Sequence, residues 1–450
     1  MRYLLILLLL PVVMGIATAQ DRLPDNLGEF YSYGDNYFLE VTTLPGINPA
    51  KGRGVVTFRF SYDLLNFRKT AQAYQKGSVY IATPTLYVEA VGTDGVIVDR
   101  GVWRDTARVQ DYQQTNSKTD FLSGTVELAL RPGLYVLKYT FDDATPGSGF
   151  TQSTQAFRMD DFHGPSPAIG VPIFLHSLSG DTLVPMSIDG AASFGRRLRI
   201  YIPLASADPP RQIRYEILTP PRKGGGPQVV TTGNGTILGR GTLGKAIPSG
   251  NNLFYLIDRN VSDSSHAYGA LIDASSDDLS IGDYILTLSY EAGFNSITDS
   301  IRFKLRWVDM PFSLSKMEYA IRVLYPIATD ETIDRMLSGS RDKQVQAVEN
   351  FWAQRDPTPA TKFNEAMYEY YRRVDYSFFN FKSISQTDGT FTDRGKIYLL
   401  NGPPTEVNRE MQPDASPREI WIYRNQVNRR FTFVDEARSG EYRLVEYNDL

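Results

Sequence analysis

The chain has 450 residues, of which 42% are hydrophobic, 12% aromatic and 22% charged, with 36 Gly and 26 Pro. This composition excludes a wholly disordered chain, a coiled coil and collagen, and the length suggests about three domains. The formal net charge of -4 gives no electrostatic basis for general nucleic-acid binding. Cysteine is absent, which excludes disulfides, zinc–thiolate sites and a cysteine nucleophile.

The N-terminus has the three parts of a secretory signal peptide. Arg2 supplies the positive charge, and an apolar run follows from Leu4 to Ile16. Ala17-Thr18-Ala19 is a cleavage site of small residues, so residues 1–19 are predicted to be removed. The alternative is an uncleaved anchor, but the run is shorter than the roughly 20 residues of a spanning helix. We therefore expect an exported protein of the periplasm, outer surface or medium, with no transmembrane segment after cleavage.

Two β-rich blocks follow, at residues 28–162 and 165–308. Short runs rich in β-branched and aromatic residues, such as 54–60 and 85–91 in the first block and 301–307 in the second, are separated by turn residues. Asn234-Gly235, between threonine-rich flanks, predicts a hairpin turn. Each block is therefore predicted to be a β-sandwich.

The two blocks share the pattern L-x-x-G-x-Y-x-L, once at 130–137 and again 149 residues later at 279–286. The glycine permits a corner, and the tyrosine hydroxyl can bond to the backbone upstream, as in the tyrosine corner of immunoglobulin-like sandwiches. Two unrelated hairpins are the alternative. The repeat favours paired immunoglobulin-like domains, and its corner residues are Gly133, Tyr135, Gly282 and Tyr284.

The pattern changes to helices near residue 311. Apolar residues at helical spacing predict helices near 317–324 and over 340–353 and 361–379, and Thr329 is a predicted cap of a short helix through Leu337. Strands are then predicted at 396–400, 419–423, 430–434 and 442–445. Residues 311–450 should therefore form a small α+β domain, with helices followed by an antiparallel meander.

The segment from about 340 to 450 carries a series of ordered motifs. They are Phe351-Trp352-x-x-Arg355-Asp356-Pro357-Thr358-Pro359, Tyr370-Tyr371-Arg372-Arg373-Val374, Gly389-Thr390-Phe391-Thr392-Asp393-Arg394-Gly395-Lys396-Ile397-Tyr398, Asn401-Gly402-Pro403-Pro404-x-Glu406, Glu419-x-Trp421-x-Tyr423 and Phe431-x-Phe433-Val434-Asp435. With these motifs the segment resembles the bacterial GWxTD domain family. The Trp that names this family is Thr390 here, and a structural role of that Trp would fall to Phe391 or another aromatic. The resemblance implies exported bacterial proteins with β-rich N-terminal regions, and it implies no activity, substrate or cofactor.

The polar residues of these pieces have two interpretations. Asp393 and Arg394 could bind an anionic or carbonyl group, with Glu406 as a second carboxylate. Alternatively, Asp393 accepts backbone N–H bonds in the turn while Arg394 pairs with a carboxylate, which the turn context favours. One of the adjacent arginines 372 and 373 is expected to make an internal or surface ion pair, with Asp393 or Glu406 as candidate carboxylates. Binding of an acidic partner is the alternative. The candidate binding or structural residues are Arg372, Arg373, Thr392, Asp393, Arg394, Tyr398, Glu406 and Trp421.

Catalytic and metal signatures are missing from the sequence. The chain has three histidines, at 163, 176 and 266, and none lies in residues 311–450. We therefore expect no metal and no cofactor, and we favour a non-enzymatic binding or scaffolding protein whose partner is a protein or glycan of the cell envelope. A carboxylate-dependent, carbohydrate-active hydrolase in the C-terminal domain and a structural subunit of a surface assembly are the alternatives.

Overall fold

The computed structural model describes residues 37–449 except for 47–50, 71–78, 111, 118–119, 144–148, 165, 187–190, 222–224, 245–246, 250–251, 262–265, 308–309, 413–414 and 425–427. The predicted signal peptide, residues 1–19, lies outside the described residues. The chain is mainly β, with a C-terminal region in which helices precede strands, as predicted.

In the first block, two sheets of strand order β1-β2-β8 and β10-β9-β5-β6 share one apolar core. A third, small sheet has the order β3-β4-β7, and β11 pairs with β9. The strands are β1 Tyr37–Leu44, β2 Gly52–Ser61, β3 Arg68–Thr70, β4 Val79–Ala82, β5 Thr85–Gly92, β6 Ile97–Arg104, β7 Ala107–Val109, β8 Phe121–Leu130, β9 Gly133–Asp142, β10 Phe150–Ser153 and β11 Phe157–Met159, with 3-10 turns at Tyr62–Leu64 and Tyr112–Asn116.

The second block is one continuous sheet of order β15-β24-β23-β17-β18-β22-β16-β13-β14-β21-β19, with β12 on β16 and β20 on β21. Its two halves contribute to one core. The strands are β12 Ala168–Ile169, β13 Ile173–Ser179, β14 Thr182–Pro185, β15 Ala191–Ser193, β16 Leu198–Ala205, β17 Pro210–Thr219, β18 Gln228–Arg240, β19 Thr242–Leu243, β20 Ile247–Ser249, β21 Asn252–Asp258, β22 Ala267–Ala274, β23 Gly282–Ala292 and β24 Asn295–Arg306.

The hairpin predicted at Asn234-Gly235 is wrong, because both residues lie inside the long strand β18. Up to Gly235 this strand pairs with β17, and from Thr236 it pairs with β22. A Cβ at Gly235 would crowd the Ile213 side chain, at 2.8 Å. The glycine therefore serves a close approach where the strand changes partners, rather than a turn.

The repeated octets make the same structure in both blocks. The Tyr135 hydroxyl donates to the carbonyl of Arg131 at 2.9 Å, and the Tyr284 hydroxyl donates to the carbonyl of Ser280 at 2.8 Å. Each tyrosine lies two residues after the glycine that begins its strand, which is β9 for Tyr135 and β23 for Tyr284. The two turns are therefore equivalent in sequence, backbone path and hydrogen bonding.

The first two blocks pack directly on each other. Along β2, Val55 belongs to the core shared with β13, β14 and β21, whereas Val56 belongs to the core of the first block. The Thr57 and Tyr255 hydroxyls are 2.6 Å apart across this contact, and Arg53 donates to the Leu243 carbonyl at 2.7 Å. The sheet β1-β2-β8 is therefore covered on both faces.

The C-terminal region places helices against the second block and a four-stranded sheet, of order β25-β26-β27-β28, beyond them. The helices are α1 Met317–Arg322, α2 Asp330–Leu337, α3 Arg341–Ala353, α4 Glu365–Asn380 and α5 Asp393–Asn401, with 3-10 turns at Phe312–Ser315 and Gly389–Phe391. The strands are β25 Glu406–Glu410, β26 Arg418–Tyr423, β27 Arg429–Val434 and β28 Arg443–Asp449.

One core joins the second block to the helices. Phe363, just before α4, lies 5.5 Å from Phe194 and 5.7 Å from Trp307, measured between ring centroids. Trp307 directly follows β24 and is fully buried. The last strand of the second block and the helical region therefore stabilise each other through shared aromatic packing.

The strand predicted at 396–400 is wrong, because these residues form α5. Thr392 caps this helix, and Gly402 ends it with φ 73°. The N-cap of α2 at Thr329 is confirmed, since its side chain accepts a hydrogen bond from the backbone of Thr332. Local β-propensity in K-I-Y-L-L is thus overridden by the caps and by packing onto the sheet.

Candidate functional site

The 3-10 turn Gly389–Phe391 lies just before α5, and it has no space for a side chain at Gly389. A Cβ at Gly389 would collide with the carbonyl oxygen of Ser377 on α4. A Cβ at Gly395, in the first turn of α5, would likewise collide with the carbonyl of Gly389. The two glycines therefore allow the backbones of α4, the turn and α5 to pack in direct contact.

Thr392 fixes the start of α5. Its hydroxyl accepts from the Gly395 backbone N–H at 3.1 Å and donates to the Gly389 carbonyl at 2.8 Å. This is the ordinary action of a threonine N-cap, which satisfies a backbone donor that the helix leaves unpaired. The threonine of the matched segment thus has a complete structural role.

Asp393 is the first residue of α5 and reaches the sheet. Its Oδ2 accepts a hydrogen bond from the backbone N–H of Leu444, in β28, at 2.8 Å. The carboxylate also lies at the positive end of the helix dipole. Asp393 accordingly bonds to backbone, as the structural interpretation of the sequence requires, although the donor lies in a strand rather than in its own turn.

Arg394 is buried and pairs with a carboxylate that sequence analysis missed. Its guanidinium lies 3.3 Å from Glu419 Oε2, on β26, and donates to the Gly440 carbonyl at 3.3 Å. The guanidinium carbon is 4.2 Å from the Tyr442 ring centroid and 5.3 Å from that of Phe381. Burial lowers the pKa of the guanidinium, and the nearby carboxylate opposes that change.

Glu419 is the centre of this buried cluster. It is 4% exposed, and its Oε1 accepts from the indole N–H of Trp421 at 2.7 Å. Its Oε2 also lies 3.5 Å from Nε of Arg409, on β25. The alternation in Glu419-x-Trp421 placed both residues on one face of a strand, which is the sequence signal that could have identified Glu419.

Thr390, at the position of the family's Trp, is fully buried. Its hydroxyl lies 3.1 Å from the Tyr319 hydroxyl, and its carbonyl accepts from the Tyr325 hydroxyl at 3.1 Å. Phe391 stacks on Tyr325 with ring centroids 5.5 Å apart. The small polar side chain therefore fits a site that is filled by two tyrosines from α1 and the turn after it.

Arg372 and Arg373 both form ion pairs, as expected, but with a carboxylate other than the candidates Asp393 and Glu406. Both arginines pair with Glu369, one turn earlier on α4, at 3.6 Å and 2.9 Å respectively. Arg373 also donates to the carbonyls of Leu399 and Leu400 at the end of α5. The position of Arg373 on α4 brings its guanidinium to the C-terminus of α5, where a cation is favourable. Asp393 lies at the opposite end of α5, at its N-terminus.

Tyr398 and Glu406 have unrelated environments. Tyr398 is buried and stacks on Tyr376 at a centroid distance of 4.6 Å, and burial raises its pKa to about 12. Glu406 is exposed on β25, where hydrogen bonds from Asn408 and Arg424 lower its pKa. The structure thus does not bring Glu406 into the cluster formed by Arg394, Glu419 and Trp421.

Asp393 and Glu406 do not form the carboxylate pair that a hydrolase would need. Asp393 bonds to β28 and Glu406 lies on β25, which are the opposite edges of the four-stranded sheet. At about 4.8 Å per strand step, those edges are about 14 Å apart, which exceeds the separation in glycosidases. Each carboxylate also already has a hydrogen-bond donor.

Among the described residues, no group of three or more His, Asp or Glu side chains is arranged to hold a metal ion. Within those residues, too, no helix is long and apolar enough to cross a membrane.

Two solved structures have a remote similarity to the chain. The C-terminal domain of BspA, an AgI/II polypeptide of Streptococcus agalactiae, is 11% identical, with a TM-score of 0.15. The C-terminal domain of the antigen I/II-family protein AspA of Streptococcus pyogenes is 9% identical, with a TM-score of 0.16. Each match covers 60% of this chain and 99% of the other, and scores this low support no argument.

No curated protein matches the chain. The GWxTD domain family does match, over residues 297–450. The match begins inside β24 and therefore includes most of that strand and the buried Trp307, as well as helices α1 to α5 and the terminal sheet. It confirms the resemblance and extends it towards the N-terminus. Residues 297–450 of this chain are a GWxTD domain.

Proposed function

We propose that the chain is an exported, non-enzymatic binding or scaffolding protein of the bacterial envelope or exterior. The GWxTD domain is its recognition unit, and the partner is a protein or glycan of the envelope. The two preceding blocks act as immunoglobulin-like sandwiches that hold this unit in place. Their equivalent Tyr135 and Tyr284 turns support that assignment.

The observation that carries this proposal is that the polar residues of the matched segment form hydrogen bonds and ion pairs within the domain itself. Thr392 caps a helix, Asp393 holds an edge strand, and Arg394 pairs with the buried Glu419. Groups engaged in this way build the domain rather than act on a substrate. The function of the domain is therefore expected on its outer surface.

The direct packing between the blocks supports a scaffolding role. The first and second blocks share a core, and a second shared core joins the second block to the helices. Burying apolar side chains across both contacts resists independent motion of the blocks.

The N-terminal sequence pattern supports export, because a positive residue, an apolar run and a small-residue site occur in that order.

Site-specific photocrosslinking in the native host tests the proposal without disturbing the core. The crosslinker replaces Tyr447 or Phe379 on the GWxTD domain, which are 65% and 60% exposed. Matched controls replace Phe294 in the second block and Val98 in the first, which are also exposed. We expect an envelope component to be captured from the GWxTD sites and not from the control sites.

Two results would contradict this assignment. Capture of the same component mainly from Phe294 or Val98 would move recognition to the sandwiches. A stable complex that is recovered without crosslinking and survives both GWxTD replacements would instead indicate a structural subunit of a surface assembly. Cell fractionation checks export separately, because a chain retained in the cytoplasm would exclude envelope binding.

A further inference from the structure

The two edge strands of the terminal sheet, β25 and β28, differ in how freely their backbone groups can pair with an added strand. At one edge, the carboxylate of Asp393 occupies the backbone N–H of Leu444 in β28. At the other edge, β25 pairs with β26 alone within the part of the chain that the structure describes. All five residues of β25 are exposed. An edge strand of this kind presents unpaired backbone donors and acceptors to an incoming strand.

Two side chains of β25 face the same side of the sheet as the buried core. Val407 is opposite Trp421, and Arg409 is opposite Glu419. Val407 remains 41% exposed, and the Arg409 side chain is 65% exposed. An added strand would therefore meet one apolar and one cationic side chain, spaced two residues apart.

The charges around Arg409 are unbalanced. Arg409 and Arg394 both lie within 3.5 Å of the single carboxylate of Glu419. That carboxylate also accepts from the Trp421 indole, so its acceptor capacity is divided among three donors. In addition, Nε of Arg394 is buried without an acceptor among the described residues. The cluster therefore carries one more positive than negative charge, and its exposed member is Arg409.

We propose that β25 accepts an extended segment of a partner protein as a fifth strand of the sheet. The segment carries an acidic side chain beside Arg409 and an apolar side chain beside Val407, two residues apart. Backbone hydrogen bonds supply the pairing, and the charge of Arg409 selects the acidic segment. This inference rests on the proposed role of the GWxTD domain as the recognition unit, and it names the surface and the kind of partner.

Selection of a phage-displayed library of random linear peptides on the full chain tests this inference. We expect enriched peptides with Asp or Glu two positions from an apolar residue. Arg409→Glu should weaken their binding by at least about tenfold, because two like charges then face each other. Changing the acidic residue of the peptide to Lys should restore binding to that variant.

Arg443→Glu, at the blocked edge on β28, is the matched control and should leave binding unchanged. Arg409→Gln removes the charge without placing a second carboxylate beside Glu419, and it should weaken binding with an unchanged thermal midpoint. Enriched peptides without an acidic residue, equal binding by all variants, or no enriched peptide would overturn the inference. The photocrosslinking result would stand in any of those cases, so the two proposals fail separately.

Discussion

The carboxylate of Asp393 and the backbone N–H of Leu444, 51 residues apart in the chain, are joined by a 2.8 Å hydrogen bond. Asp393 opens α5, and Leu444 lies in the edge strand β28. The contact therefore fastens the helical part of the GWxTD domain to its sheet. It also occupies a donor that an edge strand would otherwise present to solvent or to another strand.

Replacing Asp393 with Ala should lower the free energy of unfolding by about 1–2 kcal/mol. The variant loses a charge-assisted hydrogen bond and a negative charge at a helix N-terminus. Urea denaturation measures the loss, and amide exchange at Leu444 should become faster. Asp330→Ala is the control for the loss of a negative charge at a helix N-terminus, because Asp330 is likewise the first residue of its helix, α2. An equal loss in both variants would show that the bond to Leu444 contributes nothing.

Replacing Gly389 with Ala should destabilise the protein by about 3 kcal/mol or more. The added methyl group would meet the Ser377 carbonyl, and a helix backbone cannot move aside as a side chain can. Thermal unfolding of the purified variant measures the effect. Gly226→Ala is the matched control, since a Cβ there meets nothing within 4 Å, and it should change stability by less than about 0.5 kcal/mol. A stable Gly389→Ala protein would contradict the close packing described for this turn.

The helices and most strands of the GWxTD domain could be predicted from local pattern, but α5 could not. The helices α1 to α4 have apolar residues at helical spacing, and α2 also has a recognisable cap at Thr329. The run of five residues at 396–400 favours a strand by propensity alone. Its helical state depends on Thr392 and on packing of Tyr398 near Phe381, 5.4 Å away between ring centroids. Contacts of that kind are not encoded in a local window.

The residues of the candidate site could be predicted from the sequence, but the partners with which they form hydrogen bonds and ion pairs could not. Sequence analysis named Asp393 and Arg394 and allowed for a backbone donor and a carboxylate partner. The actual partners, Leu444 and Glu419, lie 51 and 25 residues further along the chain. Their identity depends on the register of the four-stranded sheet, which a single sequence leaves undetermined.

Replacing Glu419 with Gln should reduce stability by about 3–5 kcal/mol. The variant leaves the buried guanidinium of Arg394 without its counter-charge, and an unpaired buried charge is costly. Chemical denaturation measures the change. Glu406→Gln breaks an exposed pair with Arg424 and should leave the unfolding midpoint nearly unchanged. Similar behaviour of the two variants would show that burial does not distinguish these ion pairs.

Asp375 should give the protein an unusual pH dependence of stability. Its carboxylate, on α4, accepts from the backbone N–H groups of Phe312 at 2.7 Å and Ser313 at 3.1 Å. Burial nevertheless raises its pKa from 3.8 to about 6, and the hydrogen bonds from Ser313 and Phe312 only partly oppose this. The folded protein therefore binds this proton more tightly than the unfolded chain does.

The contribution of Asp375 to the free energy of unfolding is therefore greatest below pH 3.8. This contribution falls by up to about 3 kcal/mol as the pH rises from 3.8 through about 6. Denaturant unfolding between pH 4 and 7 measures this, with Asp375→Asn as the test variant. Relative to the parent, this variant should become progressively more stable as the pH rises, because it has no proton to lose. Asp330→Asn controls for the general change in charge. A difference between parent and Asp375→Asn that is constant across the range would show that this carboxyl does not titrate there.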